Sequence, residues 1–145
     1  EKVDVSQIMT KQRVQLGQVI LIPITNERYV VGQVLFVSKV FRNVILLSVH
    51  DQCVTIPVSP SVLGRVVCRL YTSSVPIKMD RWLTVGQTVL DHNNALLTQR
   101  IVGGEVWIED TRVREATRED FEILPIMEVV GATLVEKKCL SYFLS

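Results

Sequence analysis

The sequence predicts an α+β fold that is mainly β, with a curled antiparallel sheet or a small SH3-like barrel in the N-terminal part and one or two C-terminal helices. Two observations predict this class. Short apolar runs rich in Val and Ile, separated by Gly, Pro and Asn, follow one another as far as Ile108. A helical signature, with a capping residue and acidic residues in the first turn, begins only at Thr117.

The first two strands are predicted to form a hairpin. The β-branched run from Gln18 to Ile24 makes the first strand, and the run from Tyr29 to Val37 makes the second. Pro23 has no amide hydrogen to donate to a neighbouring strand, so the first strand either lies at a sheet edge or ends near this residue. Gly32, in the middle of the second strand, predicts a bulge or a sharp bend, which is the device that curls a sheet.

Later apolar runs predict further strands of the same kind. They lie at residues 43–49, 53–58, 65–71 and 82–90, with a tight turn at Asp51-Gln52 between the first two of these runs. Two glycines, Gly103 and Gly104, stand between two short apolar arms that extend from Arg100 to Ile108. A glycine pair in this position predicts a second hairpin.

Two helices are predicted after the strands. Thr117, followed by acidic residues, is a typical N-cap, and Pro125 ends the short helix that it begins. Residues 129–144 are predicted to form a closing helix. Its shared apolar face is expected to contain Val130, Leu134 and Val135.

The 145 residues are enough for one domain, with residues 1–12 expected to fray and residues 13–145 expected to form the folded unit. No apolar run approaches the roughly 18 residues of a membrane-spanning helix, so no membrane partner is expected. The spacing of Cys53, Cys68 and Cys139 fits no zinc pattern. Buried free thiols in a reducing, cytoplasmic compartment are therefore predicted.

Charge is distributed unevenly along the chain. Residues 1–104 carry 11 Lys or Arg and 6 Asp or Glu, a balance of +5, whereas residues 105–145 carry 5 and 9, a balance of −4. Such an asymmetry can mark an interaction face. Basic residues occur at Arg65, Arg69, Lys78, Arg81 and Arg100, but aromatic residues make up only 6% of the chain and the pI is near 8.0. No nucleic-acid partner is therefore predicted.

No pattern of catalytic or cofactor-binding residues is evident in the sequence. The two histidines, His50 beside Asp51 and His92 in a polar stretch, are both interpreted as residues of polar turns. Neither a Gly-x-Ser-x-Gly elbow nor a glycine-rich phosphate loop is present. The acidic residues Glu105, Glu109 and Asp110 lack the spacing of a calcium loop. We therefore expect no enzymatic activity, no catalytic residues, no cofactor and no metal site.

One stretch of the sequence resembles a known family. Residues 17–24, Gly-Gln-Val-Ile-Leu-Ile-Pro-Ile, and the following Arg28-Tyr29 with Gly32 resemble the opening of the immunity protein 26 family of bacterial polymorphic-toxin and contact-dependent growth inhibition systems. The family pattern is roughly Gly-Asp-Val-Phe-x-Ile-Pro-Leu, a turn, and then Arg/Lys-Tyr-x-x-Gly-x-Val-Leu. The matching residues are Gly17, Val19, Ile22, Pro23, Arg28, Tyr29, Gly32, Val34 and Leu35.

The resemblance implies a cytoplasmic immunity-type domain that binds a cognate toxin domain, a nuclease being one candidate, and blocks its active site. It transfers no binding residues. We place the toxin-binding face on the acidic segment, because carboxylates could replace substrate phosphates in the basic cleft of a nuclease. The predicted residues are Glu105, Glu109, Asp110, Glu115, Glu119, Asp120 and Glu122. Trp107, within the same segment, is either an anchor for the partner or part of the core.

The same hairpin also looks like the first strands of another group of small proteins. A strand that begins with Gly17 and contains Ile22-Pro23 is similar to the opening of the small-barrel endoribonuclease toxins of toxin–antitoxin pairs. A ribonuclease toxin is therefore the enzyme alternative. A small barrel that binds nucleic acid is the other alternative.

Overall fold

Nine strands form two sheets in the computed structural model, which describes residues 13–25 and 27–143. The larger sheet contains β1 (Gln18–Pro23), β2 (Tyr29–Val37), β3 (Val44–Val54), β4 (Val66–Ser73), β5 (Leu83–Gln87) and β9 (Val129–Val130). Its strand order is β5-β1-β2-β3-β4-β9, and only the pairing of β4 with β9 is parallel. The segment 1–12, which was expected to fray, lies outside the described residues.

The smaller sheet and the helices lie in the C-terminal half of the chain. The smaller sheet has the order β6 (Arg100–Val102), β7 (Glu105–Ile108) and β8 (Thr111–Glu115), and a 3-10 helix, Asn94–Thr98, precedes it. The helices are α1 (Val75–Lys78), α2 (Arg118–Ile123) and α3 (Ala132–Tyr142). Across residues 13–25 and 27–143, no helix is both long and apolar enough to cross a membrane.

The predicted fold class is confirmed, because the chain is mainly β with a closing C-terminal helix. Of the two forms predicted for the N-terminal sheet, the small barrel is wrong. Among the described residues the edge strands β5 and β9 do not pair with each other, and the sheet stays open. The strand register is interrupted in three of the pairings of this sheet. These interruptions bend the sheet but do not close it into a barrel.

The larger sheet packs apolar side chains on both of its faces. On the first face, Val34 and Leu47 belong to a cluster that includes Trp82 and, from α3, Val135 and Cys139. The second face carries two separate clusters. One is built around Leu35, Leu46 and Tyr71, and the other around Val19, Leu21 and Val31. The strip of sheet between these two clusters is where the polar side chains of the fold are concentrated.

Strand β3 is longer than predicted, and the tight turn expected at Asp51-Gln52 is wrong. Residues 53 and 54 pair with Val30 and Tyr29 of β2. Because the long second strand continues to offer hydrogen-bonding partners, the chain stays extended through two polar residues instead of turning. No separate strand exists at residues 53–58, and the segment after Val54 forms bends.

The closing helix starts later than predicted. Val129 and Val130 form the short strand β9, and the carbonyl oxygen of Val130 accepts a hydrogen bond of 2.6 Å from Thr72 Oγ1. Val130 is therefore buried by the sheet and not by a helical face that it shares with Val135. Leu134 is about half exposed. Helix α1 was not predicted, although a proline in its first turn, Pro76, fits a helix start.

The bulge predicted at Gly32 is confirmed by the pairing of β2 with β3, whose register shifts between Val30 and Gly32. A Cβ atom at this position would lie 3.2 Å from the carbonyl oxygen of Ser48 and 3.3 Å from side-chain atoms of Ile20 and Ile22. Both neighbouring strands therefore pass too close to residue 32 for a branched side chain.

Substitution Gly32→Val is expected to lower the free energy of unfolding by about 1–3 kcal/mol, the usual cost of forcing extra methyl groups into a packed core. Chemical denaturation monitored by circular dichroism measures the change. Gly131→Ala is the control, because a Cβ there meets open space, and it should cost under about 1 kcal/mol as a substitution at a helix N-cap. Equal stability of Gly32→Val and the parent would place the close contact elsewhere.

Candidate functional site

Three of the seven predicted toxin-binding carboxylates are bonded inside the fold. Glu105 forms an ion pair with Arg112 across strands β7 and β8. Asp110 accepts hydrogen bonds of 2.6 Å from Ser38 Oγ and 2.7 Å from the backbone amide of Lys39, so it fixes the loop after β2. These two residues and Asp120 have structural partners already, which leaves less of their charge for a partner protein.

Asp120 has the most extensive set of bonds in this segment. Its carboxylate accepts a hydrogen bond from the backbone amide of Thr117, whose hydroxyl in turn accepts from the amide of Asp120, and this reciprocal capping box begins α2. Arg114 of β8 donates to both carboxylate oxygens. These bonds, led by the one from Arg114, hold the pKa of Asp120 well below its usual range.

Because the pKa of Asp120 is lower in the folded chain than in the unfolded chain, its contribution to stability is complete above the unfolded value of about 4 and is lost as the pH falls below it. Asp120→Ala is therefore expected to lower the melting temperature at pH 7 by a few degrees. The difference from the parent should shrink as the pH is lowered to 3. Glu122→Gln, at an exposed carboxylate, is the control and should leave the melting temperature unchanged.

The other four predicted carboxylates, Glu109, Glu115, Glu119 and Glu122, are exposed and form no ion pair with any of the described residues. Strand β8 is the edge strand of the smaller sheet and is exposed along its whole length. The Arg114–Asp120 pair holds α2 beside this strand. We call the exposed acidic and apolar side chains of these two elements, taken together, the 113–123 surface: Val113, Glu115, Glu119, Phe121, Glu122 and Ile123.

Trp107 belongs to the interior of the smaller sheet. Its ring is half-buried and packs against Phe41 with 5.4 Å between the ring centroids. Its indole nitrogen is buried, and no hydrogen-bond acceptor for it exists among the described residues. This placement agrees with the core alternative for Trp107 and not with the anchor alternative.

A second group of polar residues lies on the second face of the larger sheet, and the sequence analysis did not find it. Gln33, Ser48 and Arg69 stand opposite one another on β2, β3 and β4, and His50 follows on the same side of β3. Gln33, Ser48 and His50 are buried. Polar side chains in the middle of an apolar sheet face are unusual, because each must find a hydrogen-bond partner there.

His50 and Ser48 are hydrogen-bonded to each other. Ser48 Oγ lies 2.9 Å from His50 Nε2, and His50 Nδ1 lies 2.7 Å from the carbonyl oxygen of Gly64. A carbonyl oxygen only accepts, so Nδ1 donates to Gly64, and Nε2 can accept from the serine hydroxyl, which also lies 3.3 Å from the carbonyl oxygen of Gln33. The interpretation of His50 as a residue of a polar turn is wrong, because it lies within β3 and is 4% exposed.

The loop whose Gly64 carbonyl is hydrogen-bonded to His50 is fixed to β3 by the side chain of Gln52. Gln52 Oε1 accepts a hydrogen bond of 2.6 Å from the amide of Gly64, and Gln52 Nε2 donates one of 2.8 Å to the carbonyl oxygen of Val62. A Cβ atom on residue 64 would lie 2.4 Å from Asp51 Oδ1 and 2.9 Å from Gln52 Cγ, so a larger residue there would require these side chains to shift. The loop that bears the carbonyl bonded to His50 is thus fixed by Gln52.

These residues line a pocket of about 300 Å³ between the sheet and the segment that leads into the 3-10 helix. We call it the polar pocket. Its polar lining consists of Gln33, Ser48, His50, Arg69, Thr88, Asp91 and Asn94, and its apolar wall includes Leu35, Leu63 and Leu90. Arg69 is exposed and forms no ion pair within the described part of the chain. A largely apolar pocket with a few convergent polar groups is the usual form of a small-molecule site.

The remaining candidates from the sequence lie outside this pocket or at its rim. His92 is exposed and lies 3.2 Å from Asp91, away from Ser48 and His50. All three cysteines are free; Cys139 is buried as predicted, whereas Cys53 and Cys68 are only half-buried. Burial raises the pKa of Cys139 to about 12, so this thiol is protonated and unreactive at neutral pH.

Comparison of the chain with family models, with curated proteins and with solved structures found no match. The resemblance of residues 17–35 to immunity protein 26 therefore stays a prediction. Two features of the structure bear on function: the 113–123 surface, which combines free carboxylates with exposed apolar side chains, and the polar pocket with its bonded serine and histidine.

Proposed function

We propose that this protein binds and neutralises a cognate bacterial toxin, of the polymorphic or contact-dependent inhibition type, by covering the toxin's active site. The observation that supports the proposal is the 113–123 surface. It contains the exposed carboxylates of Glu115, Glu119 and Glu122 and the exposed apolar side chains of Val113, Phe121 and Ile123. Exposed apolar residues framed by polar and charged residues are typical of a protein-binding surface.

The charges of this surface suit a basic partner. Within residues 105–122 the chain carries 7 Asp or Glu and 3 Lys or Arg, a balance of −4, although three of those carboxylates are bonded internally. Nucleases bind phosphates with basic clefts, so an acidic surface can occupy such a cleft in place of substrate. The proposed partner is therefore a toxin domain with a basic active-site cleft, such as a nuclease.

The apolar residues of the surface are expected to supply binding energy after encounter. Phe121 is 50% exposed and Ile123 is 77% exposed on one short helix that is fixed by its capping box. A rigid helix loses little conformational entropy when its side chains enter a partner's pocket. Phe121 is the aromatic anchor of the proposed interface, since buried aromatic residues contribute most of the binding energy of typical interfaces.

The test uses a candidate toxin domain, taken from the reading frame next to the gene for this protein and purified in an inactive form. Glu119→Lys combined with Glu122→Lys is expected to lower the association rate constant about tenfold at 50 mM salt and to flatten its salt dependence, because surface charges act mainly on encounter. Stopped-flow or biolayer measurements at two salt concentrations give both quantities.

The matched control is Glu27→Lys, a reversal of an exposed carboxylate in the turn between β1 and β2. It should change the association rate much less than either single reversal at Glu119 or Glu122. A double variant that folds normally by circular dichroism and associates as fast as the parent would contradict the proposal. So would a neighbouring toxin domain that does not bind this protein at micromolar concentration.

A further inference from the structure

We propose that Ser48 and His50 form a nucleophile–base pair that hydrolyses small carboxylic esters in the polar pocket. This activity lies beyond the proposed toxin binding and uses a different part of the molecule. The observation that supports the proposal is the distance of 2.9 Å between Ser48 Oγ and His50 Nε2, together with the hydrogen bond of the second ring nitrogen to the carbonyl oxygen of Gly64.

The arrangement meets the geometric requirement for an activated serine. A nucleophile and a base within hydrogen-bond reach, with the base oriented by a third group, is the general form of such sites. Here the carbonyl oxygen of Gly64 takes the orienting role that a carboxylate has in a catalytic triad. It keeps the proton on Nδ1, so that Nε2 is free to receive the proton of Ser48 Oγ.

Rigid support for the histidine adds to this argument. Gln52 fixes the loop that bears the Gly64 carbonyl through its bonds to the Gly64 amide and the Val62 carbonyl oxygen, and His50 itself lies within β3, where it pairs with Val66 of β4. A base that cannot rotate away from its nucleophile needs no reorganisation at the moment of reaction. Gln52 is therefore a positioning residue, because it acts on the pair only through Gly64.

Arg69 supplies the positive charge that the reaction requires. It stands directly opposite Ser48 in the pairing of β3 with β4, it lines the polar pocket together with Asp91, and it forms no ion pair with any of the described residues. In the tetrahedral intermediate of ester cleavage the former carbonyl oxygen becomes negative. A guanidinium group that lines the same pocket as the attacking hydroxyl can stabilise that charge more than it stabilises the uncharged ester.

The reaction proceeds in two balanced steps. Ser48 Oγ attacks the ester carbonyl carbon while its proton passes to His50 Nε2; the bond to the alcohol oxygen then breaks, and the alcohol leaves with that proton. Water then attacks the acyl-serine, gives one proton to His50 Nε2, and releases the carboxylic acid as the proton returns to Ser48. No redox partner is needed. The pocket volume of about 300 Å³ and its leucine wall fit a short, uncharged acyl group.

The experiment exposes the full chain to a fluorophosphonate, which phosphonylates an activated serine, and measures intact mass followed by peptide mapping. The expected result is one added group, on Ser48, with labelling lost in Ser48→Ala and reduced at least tenfold in His50→Gln, because removal of a general base typically costs 10²–10⁴ in rate. Ser141→Ala and His92→Gln are matched controls at an exposed serine and an exposed histidine, and both should label normally.

Turnover is measured with p-nitrophenyl butyrate, and p-nitrophenyl acetate reports background reaction with exposed imidazoles. The parent should hydrolyse the butyrate at least ten times faster than Ser48→Ala, and Gln52→Ala should lower kcat more than it raises KM. If Ser48→Ala does not fold, Ser48→Cys keeps the shape and should react with iodoacetamide only while His50 is present. Labelling elsewhere, no labelling, or hydrolysis equal in parent and Ser48→Ala would overturn the proposal without affecting toxin binding.

Discussion

Replacement of Trp82 by alanine is expected to lower the free energy of unfolding by about 3–5 kcal/mol, a typical cost for removing a buried tryptophan. Trp82 is fully buried in the cluster on the first face of the larger sheet. Its indole nitrogen also donates a hydrogen bond of 2.9 Å to Glu136 of α3. The substitution removes the largest side chain of this cluster and a direct link between the sheet and the closing helix.

Two further variants separate the packing of Trp82 from its hydrogen bond. Trp82→Phe keeps most of the ring volume and loses the bond to Glu136, so it should cost about 1–2 kcal/mol. Arg81→Ala removes the exposed ion pair to the same carboxylate, and it should change the stability less than either substitution of Trp82 because exposed ion pairs contribute little. Urea denaturation of the three variants gives the comparison. A loss below about 1.5 kcal/mol for Trp82→Ala would show that α3 and the sheet do not depend on this side chain.

The strands that carry strong local signals could be predicted from the sequence. Strand β2 was placed at its observed limits, and the glycine pair Gly103-Gly104 was placed in the turn between β6 and β7. The N-cap at Thr117 could be predicted from the acidic residues that follow it, one of which, Asp120, completes a capping box in the structure. All of these signals lie within a few residues of one another along the chain.

Features that depend on distant strands could not be predicted in this way. The sequence places a turn at Asp51-Gln52 because two polar residues interrupt an apolar run, but pairing with β2 keeps β3 extended. The contact of Asp110 with Ser38, residues separated by 72 positions, is likewise invisible in the sequence. This hydrogen bond determines whether the carboxylate of Asp110 is used inside the fold or is available to a partner protein.

One signal of the polar pocket was present in the sequence. Ser48 and His50 alternate with apolar residues in β3, and side chains two positions apart on a strand point to the same face. The two side chains are therefore neighbours because β3 extends beyond Val49. The sequence does not predict that both side chains are buried, or that the carbonyl oxygen of Gly64 orients His50.

Arg100 shows most clearly how tertiary structure can reverse an interpretation, because the sequence groups it with the basic surface residues and the structure buries it completely. Its guanidinium carbon lies 5.0 Å from the ring centroid of Tyr71, 5.7 Å from that of Phe36 and 5.9 Å from that of Phe41. Its Nη1 donates to the carbonyl oxygens of Thr98 and Glu109. Burial lowers the pKa of Arg100, and the aromatic faces and carbonyls partly compensate for the lost hydration.

This cluster joins the two sheets. Tyr71 and Phe36 belong to the larger sheet, Arg100 begins the smaller one, and Tyr71 Oη donates a hydrogen bond of 2.6 Å to the same Thr98 carbonyl that Arg100 contacts. Desolvation raises the pKa of Tyr71 to about 12, so its hydroxyl keeps the proton that it donates throughout the neutral range. The guanidinium group therefore fills the space between three rings and satisfies two backbone acceptors at once.

Arg100→Ala is accordingly expected to lower the free energy of unfolding by about 3–5 kcal/mol, since it leaves a cavity among the rings and removes the donor for buried carbonyl oxygens. Arg100→Met has nearly the length of arginine and no charge to bury, so it should recover at least half of that loss. Guanidinium chloride denaturation of both variants measures the two values. If Arg100→Met were as unstable as Arg100→Ala, the charged hydrogen bonds rather than the packing against Phe36, Phe41 and Tyr71 would hold the two sheets together. A loss below 1 kcal/mol in Arg100→Ala would contradict the burial of this side chain altogether.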